Sequence, residues 1–129
     1  MRHDHPFVPR HKQDMSRAEA AVAAGWPAVS PVLPDLLGWL QDYNWPVAHV
    51  LAPFLATTGL SALPHLERIL ESDDPIWKYW ILSCVVAPQP EVVAALRLEL
   101  ERIALRPTDG EVAAGVVGVA EELLRRKQR

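Results

Sequence analysis

Apolar residues recur every three to four positions along most of this chain, the period of amphipathic α-helices, and no run alternates strictly as a half-buried strand would. One stretch is more apolar than an amphipathic helix needs. Ser72 to Val86 reads SDDPIWKYWILSCVV, and after its polar opening only Lys78, Ser83 and Tyr79 have reason to seek water. Asp74 suits an N-cap and Pro75 the first helical position, so a helix is predicted to start there and to have protein on nearly every side. In a chain of this size that makes it the central helix.

The remaining elements follow from their punctuation. Met1 to Gln13 is predicted to be a polar arm, ordered only if Phe7 and Val8 dock on the body. A single domain spans 14–129. Ser16 to Ala24 forms a first helix that stops at Gly25, with Trp26-Pro27 as connector. Ser30-Pro31 opens a second helix through Leu40, with Leu33, Leu36, Leu37 and Leu40 on one stripe. After the turn Asp42-Tyr43-Asn44, a third runs from Trp45-Pro46 to about Ala56, with a kink expected at Pro53. The fourth covers Ala62 to Glu71, and the central helix is the fifth. Pro88 and Pro90 introduce a sixth, inward at Val92, Val93, Leu96, Leu100 and Ile103. Thr108 and Glu111 have capping-box spacing and open a seventh, inward at Val112, Val116, Val119, Ala120, Leu123 and Leu124. The basic tail from Arg125 complements the negative end of that helix.

Two of these helix pairs repeat. Leu33-Pro34 returns as Leu63-Pro64, an offset of 63 − 33 = 30, and the same offset relates Leu40 to Leu70, Asn44 to Asp74, Val50 to Trp80 and Leu55 to Val85. A helix pair with one apolar face per member cannot bury itself alone, so such units stack. The expected architecture is all-α: a short HEAT-like α-solenoid of about three helix pairs, with the first helix covering the first pair. A compact bundle accounts for the periodicity almost as well.

Composition narrows the function classes. Half of the 129 residues are hydrophobic, enough for a core, and 13 Lys+Arg against 16 Asp+Glu leave a net charge of −3. A duplex-binding face is basic, so nucleic acid is not the expected partner. No stretch reads as a membrane span or a signal peptide, and the single cysteine, Cys84, sits in the most apolar helix. A cytoplasmic protein with a structural thiol is the expectation.

Three segments carry a family resemblance. DYNWPVAHVLAPFL (Asp42 to Leu55), SDDPIWKYWIL (Ser72 to Leu82) and the opening FVPRHKQDMSRAEAAVAAGWPAV (Phe7 to Val29) resemble the DUF5071 family of bacterial proteins. Residues after about Pro88 match it in pattern alone. The resemblance implies an all-helical, HEAT-like fold and supplies no catalytic residues. By fold-level analogy it brings to mind the immunity proteins of bacterial toxin systems.

No nucleophile elbow, glycine-rich phosphate loop or paired-carboxylate motif is present, so an enzyme is not expected. His3 and His5 flank Asp4 without completing a metal site, and His49 and His65 lack ligand-spaced neighbours, so no metal or cofactor is expected. The acidic turns are the most suggestive feature. Asn44 and Asp74 read first as N-caps and the tryptophans as packing, while Asp42, Asn44, Trp45, Asp73, Asp74, Trp77 and Lys78 fall where a partner could meet one edge of the stack. Lys78 is expected to snorkel or to pair with Asp74 four residues earlier. Acids beside tryptophan suit a basic protein partner, such as a toxin domain. The expected function is a non-catalytic protein-binding module of immunity type, its oligomeric state open. Two alternatives stand beside it: a HEAT-like enzyme of DNA-glycosylase type using Trp45, Trp77 and Asp74, which would need a basic track, and a structural homo-oligomeric subunit.

Overall fold

The computed structural model describes residues 5–126. Among them every regular element is helical. The α-helices are α1 (Met15–Ala24), α2 (Leu33–Gly38), α3 (Pro46–Leu55), α4 (Leu63–Leu70), α5 (Pro75–Trp80), α6 (Pro90–Ala95), α7 (Arg97–Leu105), α8 (Asp109–Ala113) and α9 (Val116–Arg125). Short 3-10 turns precede α2 (Ser30–Val32) and α4 (Gly59–Ala62) and follow α2 (Trp39–Gln41).

The two Leu-Pro units share their local geometry. In each, a 3-10 turn hands over to an α-helix at the leucine, with φ −52° and ψ −46° at Leu33 and φ −51° and ψ −47° at Leu63. Proline then follows in the first turn, where its missing N–H costs no intrahelical bond. The burial register repeats as well: Leu36 and Leu66, Leu40 and Leu70, Leu51 and Ile81, Ala52 and Leu82, and Leu55 and Val85 are all buried. Helix α1 packs on α3, and α3 packs on the stretch that continues α5. That stretch packs in turn on α9, and α9 on α7. Helix α5 also meets α4, α8 and the turn after α2, which is the central position expected of it.

Three helices differ most from their sequence reading, each for a local reason. The fifth is α-helical only to Trp80; Ile81–Val86 widens into a π-helix, in which the Ala87 N–H reaches back to the Leu82 carbonyl. The sixth breaks at Leu96, whose φ −97° and ψ 13° lie outside the helical well, separating α6 from α7. All five of its inward residues are nevertheless buried. The seventh is cut by Gly115, which adopts the left-handed φ of +82° that glycine alone reaches without a Cβ penalty. Its change of direction leaves Val112 59% exposed, whereas Val116, Ala120 and Leu123 stay inside. The third helix carries Pro53 within it and ends at Leu55, one residue from its expected end.

The N-terminal stretch is docked from His5 onward. Val8 is buried and Phe7 packs against the core. Arg17 donates from Nη1 to the His5 carbonyl at 3.0 Å, and Arg10 donates from its backbone N and from Nε to Asp14 Oδ2, both at 2.9 Å. Those bonds, made chiefly by the Arg10 side chain, hold the Asp14 carboxyl well below the usual carboxylate range. His3 and Asp4, with the weak metal reading placed on them, lie outside the described residues, as does the tail from Lys127. His5 Nδ1 accepts from the Phe7 N–H at 3.2 Å.

Candidate functional site

Helix α5 presents its first turn between two cavities. One is a recess of about 340 Å³, lined by Leu70, Glu71, Ser72, Asp73, Lys78, Glu99, Arg102 and Thr108. The other is a small pocket of about 130 Å³ beside Trp77.

A buried charge cluster lies against the recess. Lys78 is only 4% exposed, and its Nζ donates to Glu111 Oε2 at 2.8 Å. Arg102 grips the same carboxylate with both ends of its fork, Nη2 to Oε2 at 2.7 Å and Nη1 to Oε1 at 3.0 Å. The capping box expected at Thr108 and Glu111 is present: Glu111 N–H donates to Thr108 Oγ1 at 3.1 Å, and Thr108 N–H donates to Glu111 Oε1 at 2.9 Å. Burial alone would raise the Glu111 pKa. The hydrogen bonds from Arg102, Lys78 and Thr108 outweigh it and hold the group down at about 2. Arg102 also donates from Nε to Glu99 Oε1 at 3.1 Å.

This cluster corrects the reading of Lys78. Its ammonium neither snorkels nor pairs with Asp74; what Asp74 receives is the Lys78 backbone N–H, on its carbonyl. The apolar neighbour reverses too, since Ile76 is 56% exposed. A lysine can lie deeper than an isoleucine because a carboxylate on another helix cancels its charge. Sequence inspection assigned Glu111 to its cap and missed it as the partner of Lys78, 33 residues away.

The other residues singled out from the sequence take varied positions. Asp74 is the N-cap of α5, its Oδ1 accepting from Trp77 N–H at 3.0 Å. Asn44 is not a cap. Its backbone N–H donates to Asp42 Oδ1 at 2.8 Å, closing an Asx turn, and Trp45 occupies the cap position of α3. The first turn of α3 is satisfied from outside, Val47 N–H donating to the Lys12 carbonyl at 3.1 Å. Trp45 meets Trp39 edge to face, with ring centroids 5.6 Å apart. Trp77 is half-buried, and its indole N–H donates to the Leu37 carbonyl at 2.9 Å. Asp73 is exposed on the recess wall; Asp42, Asn44 and Trp45 do not line it.

The recess is acidic. Its lining carries Glu71, Asp73 and Glu99 against Lys78 and Arg102, and Glu111 beneath adds a fourth acid, so 2 − 4 = −2. Both cations are already engaged by Glu111 and Glu99. Among the described residues, the Glu71 and Asp73 side chains make no ion pair or hydrogen bond within the chain.

Gln89 is a second buried polar residue that sequence inspection passed over. Its Oε1 accepts from Gly59 N–H at 2.7 Å and its Nε2 donates to the Val85 carbonyl at 2.9 Å, tying the start of the second unit to its end. Cys84 is half-buried, and burial pushes its thiol pKa up, away from reactivity. Among the described residues no group of three His, Cys, Asp or Glu side chains is placed to hold a metal ion. Nor is any helix long and apolar enough to cross a membrane.

These features define a small all-α protein of paired helices, with a buried charge cluster beside an acidic recess. The family model for a domain of unknown function, DUF5071, matches residues 7–124, and the chain belongs to that family. The matched span runs from Phe7 in the docked N-terminal stretch to Leu124, one residue before the end of α9. No curated protein matches the chain.

Proposed function

We propose that the protein is a non-catalytic binding module of HEAT-like helical-repeat type. In this reading it engages a basic protein partner through the acidic recess, in the manner of an immunity protein occluding a toxin, in the cytoplasm. The observation that carries the reading is the charge arrangement just described. The recess has net negative charge, its cations are consumed internally, and among the described residues nothing pairs with the carboxylates of Glu71 and Asp73. Such surplus carboxylates steer encounter with a basic surface and pair with a lysine or arginine after contact. The repeated Leu-Pro units and the row α3, α5, α9 support the solenoid half of the reading.

The recess moves the expected contact surface. Asp73 keeps its place in it and Glu71 joins it. Asp74, Trp77 and Lys78 act through the fold, because their polar groups are bonded within the chain.

The test is capture of the partner from cells with tagged wild-type protein, repeated with Glu71→Lys and Asp73→Lys together. Both residues are exposed, so the variant should melt within about 2 °C of wild type. A single basic protein held at one-to-one stoichiometry by wild type and lost from the variant is the expected result. Equal retention by both proteins would remove the recess from the interface. Recovery of the chain alone as a stable oligomer would point to the structural-subunit reading instead.

A further inference from the structure

On the solvent side of α3 and α5, four aromatic rings form a row that joins the two units. The His49 ring lies 4.4 Å from Tyr43, Tyr43 stacks on Trp80 at 5.1 Å, and Tyr79 meets Trp80 edge to face at 5.0 Å. Tyr43, Tyr79 and Trp80 are half-buried and His49 is exposed. Ile76, itself exposed, extends the row from one turn earlier on α5. Directly after Trp80 the helix widens into its π form, a distortion met most often at functional sites. Among the described residues the Trp80 indole N–H and the Tyr43 and Tyr79 hydroxyls make no hydrogen bond within the chain, and none of them is shut off from solvent. Trp26 and Trp77, by contrast, give their indole N–H groups to Thr57 Oγ1 and the Leu37 carbonyl. The row also has almost no charge around it. Helix α3 contains no Asp, Glu, Lys or Arg, and from Pro75 to Val86 the one charged side chain is Lys78, turned inward onto Glu111. Asp42, beside Tyr43, accepts the Asn44 N–H, and on α9 Glu122 is paired with Arg125 and Arg126.

We infer that this row docks an uncharged, proline-rich peptide segment in the extended polyproline II form. Neighbouring aromatic rings with open surface suit rigid apolar rings, and a proline segment brings these at little ordering cost. The polar tips narrow the choice further. An indole N–H can only donate and a phenol donates as well as accepts, so the matching ligand is rich in acceptors and poor in donors. A run of prolines carries a carbonyl at every residue and no N–H at all. The lack of charge sets the competitors aside. Nucleic acid needs cations for its phosphates and a basic segment needs unpaired carboxylates, and the row supplies neither. A sugar brings as many hydroxyl donors as acceptors, which an indole N–H cannot receive. None of the four rings lines the acidic recess, so the inference stands apart from the role proposed for that recess.

The test titrates an acetylated, amidated proline decamer into the full chain and follows the tryptophan indole N–H and Ile76 methyl signals by NMR. The Trp80 and Ile76 signals should shift saturably, while those of Trp26 and Trp77, whose hydrogens are already given away, should not move. Trp80→Phe keeps an aromatic ring and removes the N–H. Read from Ile76, it should bind the decamer roughly three- to tenfold more weakly, the ratio one hydrogen bond supplies. Unchanged Trp26 and Trp77 signals in that variant show that its fold is intact. Unchanged affinity in Trp80→Phe would contradict the inference. A glycine-serine decamer that binds as well as the proline decamer would make the contact unspecific. Tighter binding of cellohexaose would make the row a sugar platform, and tighter binding of oligothymidine a base-stacking one. Saturation at Trp39 or Trp45 in place of Trp80 would put the peptide elsewhere, and no saturable shift would leave the rings as packing. Each of these overturns the inference.

Discussion

At one register position of the two thirty-residue units, Ala48 is buried among apolar neighbours on α3, and Lys78 is buried against Glu111 on α5. The helix starts differ as well. Helix α5 is capped locally by Asp74, while α3 takes its first-turn acceptor from the Lys12 carbonyl on the N-terminal stretch. The Leu-Pro corners are nearly superimposable in dihedral, and the buried leucines that follow them, Leu36 and Leu40 against Leu66 and Leu70, keep one register. The apolar repeat therefore sets where each helix goes, and the polar residues decide what each unit is fastened to. The first unit is fastened by backbone from the N-terminal stretch, the second by charge from α7 and α8.

The largest effect should come from removing the charge anchor. Glu111→Ala strands Lys78, leaves Arg102 with Glu99 in place of two carboxylates and opens the Thr108 cap, so chemical denaturation should show a loss of about 3–5 kcal/mol. The corresponding change in the first unit, Ala48→Gly, removes no charge and should cost about 1 kcal/mol through helix propensity.

Acid should distinguish the units next. The Glu111 carboxyl is held at about 2 against an ordinary 4.5, so its stabilising contribution is complete above pH 4.5 and is lost as pH falls toward 2. With the Arg102 side chain 29% exposed and solvent screening allowed for, the loss is about 2 kcal/mol. A pH series of denaturation midpoints should show it, and Glu111→Gln should make the curve shallower over that window, leaving the part that Asp14 contributes.

The caps give the smallest and sharpest contrast. Asp74→Ala removes the acceptor for Trp77 N–H and should lower stability by about 1 kcal/mol. Asn44→Ala, at the equivalent position, should change it by less than about 0.5 kcal/mol, since its side chain caps nothing. Equal losses in a thermal melt would mean that the two helix starts are fastened alike.

What could be read from the chain was what depends on neighbours within one turn or on a regular period. The Leu-Pro repeat, Asp74 as cap, Gly25 as stop and the Thr108–Glu111 box are all of that kind. What escaped depends on residues far apart or on one backbone angle. Asn44 and Asp74 look equivalent until Lys12 is seen supplying the α3 acceptor. Lys78 looked exposed because its carboxylate belongs to a helix 33 residues on. The seventh helix was read as one piece with Val112 inward, whereas the left-handed φ at Gly115 divides it and Val112, before the break, is exposed. The candidate site was legible through Asp73 and the acidic turn; Glu71 joined it only when α7 closed the recess opposite.

The central claim is that Lys78 and Glu111 act as one buried pair that fastens the second unit. A double-mutant cycle tests it directly, with Lys78→Met, Glu111→Gln and both together, each measured by urea denaturation. If the pair is the anchor, the two losses should be coupled by at least about 1.5 kcal/mol, with the double variant more stable than the sum of the singles. Additivity within about 0.5 kcal/mol would contradict the account and return Lys78 to the surface.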